Sequence, residues 1–263
     1  MRNRGCVGTS EENKTLCLLT KRVANSPIYR KKTNALFSNA IAITGGIATG
    51  KSTACNILRL YGYSIIDMDK ISHEVLEESA GEVVGVFGSE ILMDCAKNAE
   101  SVMDSAKNAE SAMDCAKNVE SAMDSAPKIN RKKLGAIVFN DKAKLATLEA
   151  ILHPKIRAEV AKKAQHLEAQ NITYFIDIPI FFELKVRGEG YEIPRTLLIY
   201  APRESQLARM QKRDNLSTDE AQMRLSNQID IEQKRQMADF VIENVGSVRE
   251  LQGRIEAFLR EIQ

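Results

Sequence analysis

From Asn39 onward, the chain alternates short apolar runs with longer charged stretches. The apolar runs are rich in Ile, Val, Leu, Phe and Tyr, as strands covered on both faces of a sheet should be. They are Ala40–Thr44, Tyr63–Asp67, Tyr174–Ile178, Thr196–Ala201 and Phe240–Glu243. The charged stretches carry helical periodicity, most clearly in Asp141–Gln170, Pro202–Arg213 and Thr218–Met237. This alternation predicts an α/β fold with a doubly wound parallel sheet.

Residues 93–126 interrupt the pattern with a repeated ten-residue unit, MDCAKNAESV, MDSAKNAESA, MDCAKNVESA and the fragment MDSA, before Pro127. Ten is not a multiple of 3.6, so equivalent positions drift by roughly 80° around a helix and form no apolar stripe. The block is therefore predicted to be a dispensable insertion, helical and solvated or disordered. The alternative is a metal site formed by the repeated acids Asp94, Asp104, Asp114 and Asp124.

The net charge of +2 is unevenly distributed along the chain. Residues 1–38 contain eight Lys or Arg against two Glu, a local charge of +6, which leaves −4 for residues 39–263. An acidic body argues against nucleic acid as the main partner, because duplex binding needs a concentrated basic face. Residues 1–38 lack the apolar core of a secretory signal. We expect them to be a disordered extension or an over-long gene start, with a targeting peptide as the alternative.

The cysteine pattern and the hydropathy indicate a cytoplasmic protein. Five cysteines are spread along the chain without a C-x-x-C pair, which fits neither a disulfide framework nor a zinc site. No stretch approaches the roughly 20 consecutive apolar residues that a membrane-spanning helix needs. We therefore predict free thiols in a reducing cytosol and no membrane contact.

Residues 45–52, GGIATGKS, match the phosphate-binding pattern G-x-x-x-x-G-K-[ST], and Thr53 follows. A predicted strand leads into this loop and a helix-compatible stretch leads out, which is the context that the motif requires. Small residues let successive backbone N–H groups wrap a phosphate at the positive end of the helix. Lys51 would contact the β- and γ-phosphates, and the Ser52 hydroxyl would ligate Mg²⁺. Ala48 fits if its φ is negative, and costs on the order of 1 kcal/mol if it is not.

An acidic pair, Asp67 and Asp69, follows the second predicted strand. Ligands bind at the carboxyl edge of such sheets, and a carboxylate there can accept the proton of an attacking hydroxyl during phosphoryl transfer. The alternative role for Asp69 is the N-cap of a helix over Lys70–Glu78, and the two roles can coexist. Neither a GTPase N-K-x-D motif downstream of the loop nor an L-S-G-G-Q transporter signature is present.

Six motifs, in order and at the expected spacing, resemble the dephospho-coenzyme A kinase family. They are Ile41–Thr53, Asp67-x-Asp69, His153-Pro154, Asp177-x-Pro179-x-x-Phe182-Glu183, Gln206-x-x-Arg209-x-x-x-Arg213-Asp214 and Lys234-x-x-x-Ala238-Asp239-x-Val241-Ile242-x-Asn244. The resemblance covers residues 39–263 apart from the repeats. It implies a P-loop kinase with three α/β/α layers, a five-stranded parallel sheet, a helical substrate-binding subdomain and a helical lid. It also implies transfer of the ATP γ-phosphate, with Mg²⁺, to the ribose 3′-hydroxyl of dephospho-coenzyme A.

The same resemblance implies the site residues. Asp69 takes the general-base position, with Lys51 and Arg209 as further catalytic residues. The expected ATP-binding residues are Ala48, Thr49, Gly50, Lys51, Ser52, Thr53, Arg209 and Arg213. Asp69 is expected at the substrate, and so is His73, because its spacing of four residues places it on the same helical face. Ser52 is expected at the magnesium ion, together with Asp177, which ends the third predicted strand beside the strand that leads into the loop.

Several of these residues have simpler alternatives. Arg209 and Arg213 are four residues apart and can converge on one anion, but they also fit an exposed face of ion pairs. Four further cations are expected in the lid region, namely Arg203, Arg224, Lys234 and Arg235. His73 also fits a packed or solvated histidine, and His153 is interpreted as a structural turn residue at a helix start.

Two other functions remain open from the sequence. The chain also fits a P-loop kinase of another small alcohol or nucleotide, which a screen of acceptors would separate from a dephospho-coenzyme A kinase. It further fits a nucleotide-binding regulatory module whose repeats recruit a partner.

Overall fold

The computed structural model describes residues 36–93 and 128–262. Within these residues a five-stranded sheet has the order β2-β3-β1-β4-β5, and all neighbouring strands run parallel. The strands are β1 Ala40–Gly45, β2 Ile65–Asp67, β3 Tyr174–Asp177, β4 Arg195–Tyr200 and β5 Phe240–Glu243. The predicted strands are confirmed with end shifts of at most two residues.

The helices of the described residues fill the connections between these strands. They are α1 Lys51–Leu60, α2 Met68–Glu78, α3 Ala80–Phe87, α4 Arg131–Val138, α5 Lys142–Ala169, α6 Phe181–Arg187, α7 Arg203–Asp214, α8 Thr218–Ser226, α9 Ile231–Met237 and α10 Val248–Ile262. A short 3₁₀ turn, Ser89–Ile91, follows α3. In the described ranges no helix combines the length and apolar character needed to cross a membrane.

The chain divides into two compact units. The first contains the described residues up to Asp67 and from Lys163 onward, and so holds the whole sheet. Its core is formed where Ile41, Ile43 and Phe175 of the sheet pack with α1 and with Phe258 of α10. Burying each such side chain contributes roughly 1.5–3 kcal/mol, so the apolar strands place the core at the sheet.

The second unit, Met68–Lys162, is helical in its described residues. Its core contains Val83, Phe87, Ile91, Ile129 and Leu134, with partly buried side chains of α5 around them. The helical subdomain expected from the sequence is therefore a compact unit with its own core.

The two described ends of the repeat region meet in the second unit. Leu92 and Ile129 form an antiparallel bridge. The Met93 N–H donates to the Lys128 carbonyl at 3.0 Å, and the Asn130 N–H donates to the Ile91 carbonyl at 2.7 Å. Residues 94–127 thus leave and rejoin the fold at adjacent points, while their predicted conformation and the alternative acidic metal site lie outside the described residues.

Two predictions about the elements differ from the structure. The stretch Thr218–Met237 forms two helices, because Asp230 caps α9 by accepting the Glu232 N–H at 2.9 Å. His153 and Pro154 lie inside α5, not at a helix start. Phe37, two residues before the predicted boundary at residue 39, is 7% exposed and its ring contacts Tyr191.

Candidate active site

The phosphate-binding loop connects β1 to α1 at the carboxyl edge of the sheet. The Thr49 N–H and hydroxyl both donate to the Gly46 carbonyl, at 3.3 and 2.9 Å, and close a tight turn. Gly50 has a φ of 91° and immediately precedes α1. The loop therefore ends at the positive pole of a ten-residue helix, where an anion is stabilised.

Ala48 adopts the left-handed conformation with a φ of 60°. This is the costly alternative considered above, since the methyl group of alanine is crowded at positive φ. Ala48 and Ile47 pack against Met210, Ala221 and Leu225, which form a small cluster between α7 and α8. The loop is thus in direct contact with the helices that the sequence assigns to the lid.

Lys51 and Asp177 form a short ion pair next to the loop. Asp177 ends β3 and lies in register with Ile43 of β1, so the sheet itself brings the carboxylate to the first residue of α1. Its second oxygen accepts the Cys55 thiol at 3.5 Å. Burial, followed by the charge of Asp177, raises the pKa of the Cys55 thiol to about 12. The thiol is therefore neutral at physiological pH and is no nucleophile.

Arg209 of α7 binds the backbone of the loop. Its guanidinium donates to the Ala48 carbonyl at 3.2 Å, to the Thr49 carbonyl at 3.4 Å and to the Asn244 carbonyl at 2.6 Å. The Asn244 side chain donates to the Thr49 carbonyl at 2.8 Å. Arg209 is therefore held against the backbone of the loop, where three carbonyl dipoles stabilise its charge.

Two of the other predicted cations have different partners. Arg213 forms a bidentate pair with Asp214, at 2.8 and 2.9 Å, and these hydrogen bonds hold the pKa of Asp214 below its usual value. Lys234, expected in the lid, is completely buried and lies 2.7 Å from Glu183. Arg209 and Arg213 thus do not share one partner, and Lys234 is placed in the protein interior.

Asp69 and His73 both belong to α2 in the second unit. Asp69 is the second residue of the helix, so it is not the N-cap considered above, although an acid in the first turn is favourable to the helix dipole. Both side chains are exposed. Asp67, two residues earlier, ends β2 in register with Asp177 and pairs with Arg59 at 3.7 Å.

The described residues contain no cluster of three or more His, Cys, Asp or Glu that could hold a metal ion. The Ser52 hydroxyl, exposed in the first turn of α1, and the Asp177 carboxylate are hard oxygen donors, as Mg²⁺ prefers. A site with so few protein ligands fits Mg²⁺ that arrives with nucleotide phosphates rather than a resident ion.

Two residues at the loop have no role in the sequence prediction. The Gln228 side-chain carbonyl accepts the Ile47 N–H at 3.2 Å, and Asn244 binds Thr49 as described. Asn244 is the last residue of the motif that begins at Lys234, and it directly follows the last strand. A polar side chain at the carboxyl end of a strand is a sequence signal for a ligand site. Gln228 lies in the break between two helices that the periodicity joins, so the sequence held no clear signal for it.

Comparisons with known proteins show which family this chain resembles. A family model for dephospho-CoA kinase matches residues 39–97 and 88–250. The chain is 42% identical to the dephospho-CoA kinase of Wolinella succinogenes over 224 residues, which cover 85% of this chain and 94% of that protein. A solved structure from Thermus thermophilus has a TM-score of 0.64 and 29% identity, covering 86% of this chain and 99% of the other. The solved structure of the dephospho-CoA kinase from Campylobacter jejuni has a TM-score of 0.55 and 33% identity, covering 87% of this chain and 99% of the other.

Proposed function

The chain belongs to the dephospho-CoA kinase family, and on this premise we propose that it transfers the ATP γ-phosphate to the ribose 3′-hydroxyl of dephospho-coenzyme A. The products are coenzyme A and ADP. The observation that carries the proposal is the loop at Gly45–Ser52, held at the carboxyl edge of the sheet by Arg209 and followed by Lys51 at the start of α1.

The loop and Lys51 bind the triphosphate. Backbone N–H groups and the helix dipole favour the anion, and the Lys51 ammonium offsets charge that develops on the transferred group. Asp177 pairs with this ammonium in the structure, so the phosphates would offer it a second anionic partner. Thr49, Gly50 and Thr53 complete the loop, and Arg209 supplies a second positive charge. We assign Arg213 to ATP as well, and its release from Asp214 would have to precede that contact.

Asp69 is proposed as the general base. Its carboxylate accepts the proton of the 3′-hydroxyl as the hydroxyl oxygen attacks the γ-phosphorus, and the bond to ADP breaks. Its place in the chain supports this role, because it follows a strand whose last residue, Asp67, lies at the ligand-binding edge. His73, one helical turn later, is assigned to the substrate.

Mg²⁺ is proposed as the metal that accompanies ATP, held on the protein side by Ser52 and Asp177. It would neutralise phosphate charge and help to orient the triphosphate. The negative charge of residues 39–263 argues against nucleic acid as the main partner, and we propose the cytoplasm as the place of action.

The acceptor is tested by measuring ADP release with dephospho-coenzyme A, nucleoside monophosphates and sugar acids in parallel. We expect turnover with dephospho-coenzyme A alone, and the product should carry its new phosphate on the ribose 3′-oxygen. Turnover with another acceptor and none with dephospho-coenzyme A would refute the proposal while leaving the ATP site intact.

The base is tested by Asp69→Asn, with Asp67→Asn as the matched control two residues away. Loss of the proton acceptor should lower kcat by about two orders of magnitude while the affinity for ATP is kept. Asp67→Asn removes an acid that pairs with Arg59 and should change kcat much less. A larger loss of kcat in Asp67→Asn than in Asp69→Asn would indicate that Asp67 is the general base.

A further inference from the structure

Asn244 follows the last residue of β5 and is fixed in the first unit by its backbone. Its N–H donates to the Tyr200 carbonyl at 2.7 Å, which continues the pairing of β4 with β5 by one residue. Its own carbonyl accepts the Arg209 guanidinium at 2.6 Å. Both hydrogen bonds hold the main chain of Asn244, so the position of its Cα and Cβ atoms is fixed relative to the loop.

The side-chain amide of Asn244 contacts the phosphate-binding loop at one atom, the Thr49 carbonyl oxygen, at 2.8 Å. Arg209 donates to the same oxygen at 3.4 Å. Two donors, one neutral and one cationic, therefore hold this carbonyl on the side of the loop that faces β5 and α7.

The orientation of this carbonyl determines that of the next N–H. The peptide between Thr49 and Gly50 is trans, since the described residues contain no cis peptide bond, and in a planar trans peptide C=O and N–H point in opposite directions. Holding the Thr49 oxygen toward Asn244 thus directs the Gly50 N–H to the opposite face of the loop. A reversed peptide would present an oxygen there, which repels phosphate.

The conformation of Gly50 provides an independent sign of this contact. Its backbone φ of 91° is one that residues with a side chain rarely adopt. A Cβ atom at this position would also overlap Asn244 Nδ2. The amide of Asn244 thus fills the space that any larger residue at position 50 would need. The glycine and the asparagine, 194 residues apart in the sequence, form one arrangement.

We infer that Asn244 is a positioning residue for the ATP phosphates, which fixes the Thr49–Gly50 peptide with its N–H toward the anion. It acts through the loop and contacts neither phosphate nor acceptor. The inference rests on the proposed kinase function, but it concerns ATP binding alone and can be tested without the second substrate.

The test measures the ATP dissociation constant by calorimetry in the absence of dephospho-coenzyme A. Asn244→Ala should weaken ATP binding about tenfold, and the nearly isosteric Asn244→Asp should weaken it further, because a carboxylate cannot donate and repels the Thr49 carbonyl oxygen. In steady state the KM for ATP should rise while the KM for dephospho-coenzyme A stays within twofold.

The matched control is Asp239→Ala, at the opposite end of β5. Asp239 accepts the Thr196 N–H and hydroxyl at 2.8 and 2.7 Å, so it also connects the last two strands, but away from the loop. This variant should lower the unfolding midpoint and leave ATP binding within twofold. Unchanged ATP binding in both Asn244 variants would overturn the inference, as would an ATP loss in Asp239→Ala equal to theirs. If Asn244→Ala does not fold, Asn244→Asp decides by the same criterion.

Discussion

The methyl group of Ala48 introduces conformational strain into the phosphate-binding loop. A left-handed alanine is strained by roughly 1–2 kcal/mol, and its φ of 60° places it in that region. The contact of Ala48 with the cluster around Met210 recovers part of this cost. The residue is therefore a point where the loop stores strain.

Ala48→Gly is expected to stabilise the protein by about 0.5 kcal/mol, because relief of strain exceeds the added flexibility of the unfolded chain. Ala48→Val should instead destabilise it by about 2 kcal/mol or more, since branching at Cβ is least tolerated at positive φ. Urea unfolding of the three proteins measures both differences. An order other than Gly, Ala, Val would contradict the strained conformation.

Cys55 predicts a specific dependence of stability on alkaline pH. Its pKa is raised from 9.0 to about 12 on folding, so the folded state binds this proton more tightly than the unfolded state. The resulting stabilisation is complete below pH 9 and is lost as the pH rises from 9 toward 12, with a slope of up to about 1.4 kcal/mol per pH unit.

The matched variant is Cys55→Ser, whose hydroxyl keeps a donor for Asp177 and does not titrate in this range. The difference in unfolding free energy between wild type and Cys55→Ser should fall between pH 9 and 10.5. A difference that stays constant over this interval would show that the thiol is not in the buried environment described.

At the scale of elements, contacts of Glu183 act together with the Asp230 cap to divide one predicted helix into two. Glu183 of α6 accepts the Ile229 N–H at 3.0 Å and lies 2.7 Å from Lys234 of α9. The Lys234 contact lacks good hydrogen-bond geometry, and the second Glu183 oxygen has no partner among the described residues. The pair thus fixes the break between α8 and α9 at a considerable desolvation cost.

Lys234→Met is expected to destabilise the protein by about 3–5 kcal/mol, because it leaves the Glu183 carboxylate buried without its counter-charge. Adding Glu183→Gln should recover most of the loss, since the amide oxygen still accepts the Ile229 N–H. Chemical unfolding of both proteins measures this. A raised KM for ATP in Lys234→Met without a change in stability would instead support the predicted location of Lys234 in the lid.

The elements differ in how far the sequence could predict them. The strands were predictable because runs such as Ala40–Thr44 are apolar on both faces, and the loop because eight consecutive residues specify it. The break at 227–230 and the burial of Lys234 depend on Glu183, about 50 residues away. Hydrophobic periodicity reports only local structural preference, so contacts between residues this far apart in the sequence could not be predicted from it.

The candidate site shows the same limit. Lys51 and Asp177 were predictable as neighbours of one sheet edge, because β1 and β3 are adjacent parallel strands. That Arg209 binds loop carbonyls while Arg213 binds Asp214 depends on side-chain geometry at the end of α7. Spacing alone gave both arginines the same role.

At the scale of the whole molecule, we expect that the repeats can be removed without disturbing the described fold. Met93 and Lys128 lie opposite each other in an antiparallel pair, so a two-residue Asn-Gly turn can join them as a β-hairpin. Replacing residues 94–127 with Asn-Gly should leave kcat unchanged and should not lower the unfolding midpoint of the protein. Lost turnover in this variant would give the repeats a catalytic role.

Because Leu92 and Ile129 are bridged, we also expect the protein to tolerate changes in the length of the segment between them. An in-frame gain or loss of a ten-residue unit alters only the segment between two fixed ends, and doubling such a segment costs only about 0.6 kcal/mol of closure entropy. Chains with different numbers of the ten-residue unit would then share the same described fold. Copy number in this block is expected to vary between lineages almost free of selection for folding.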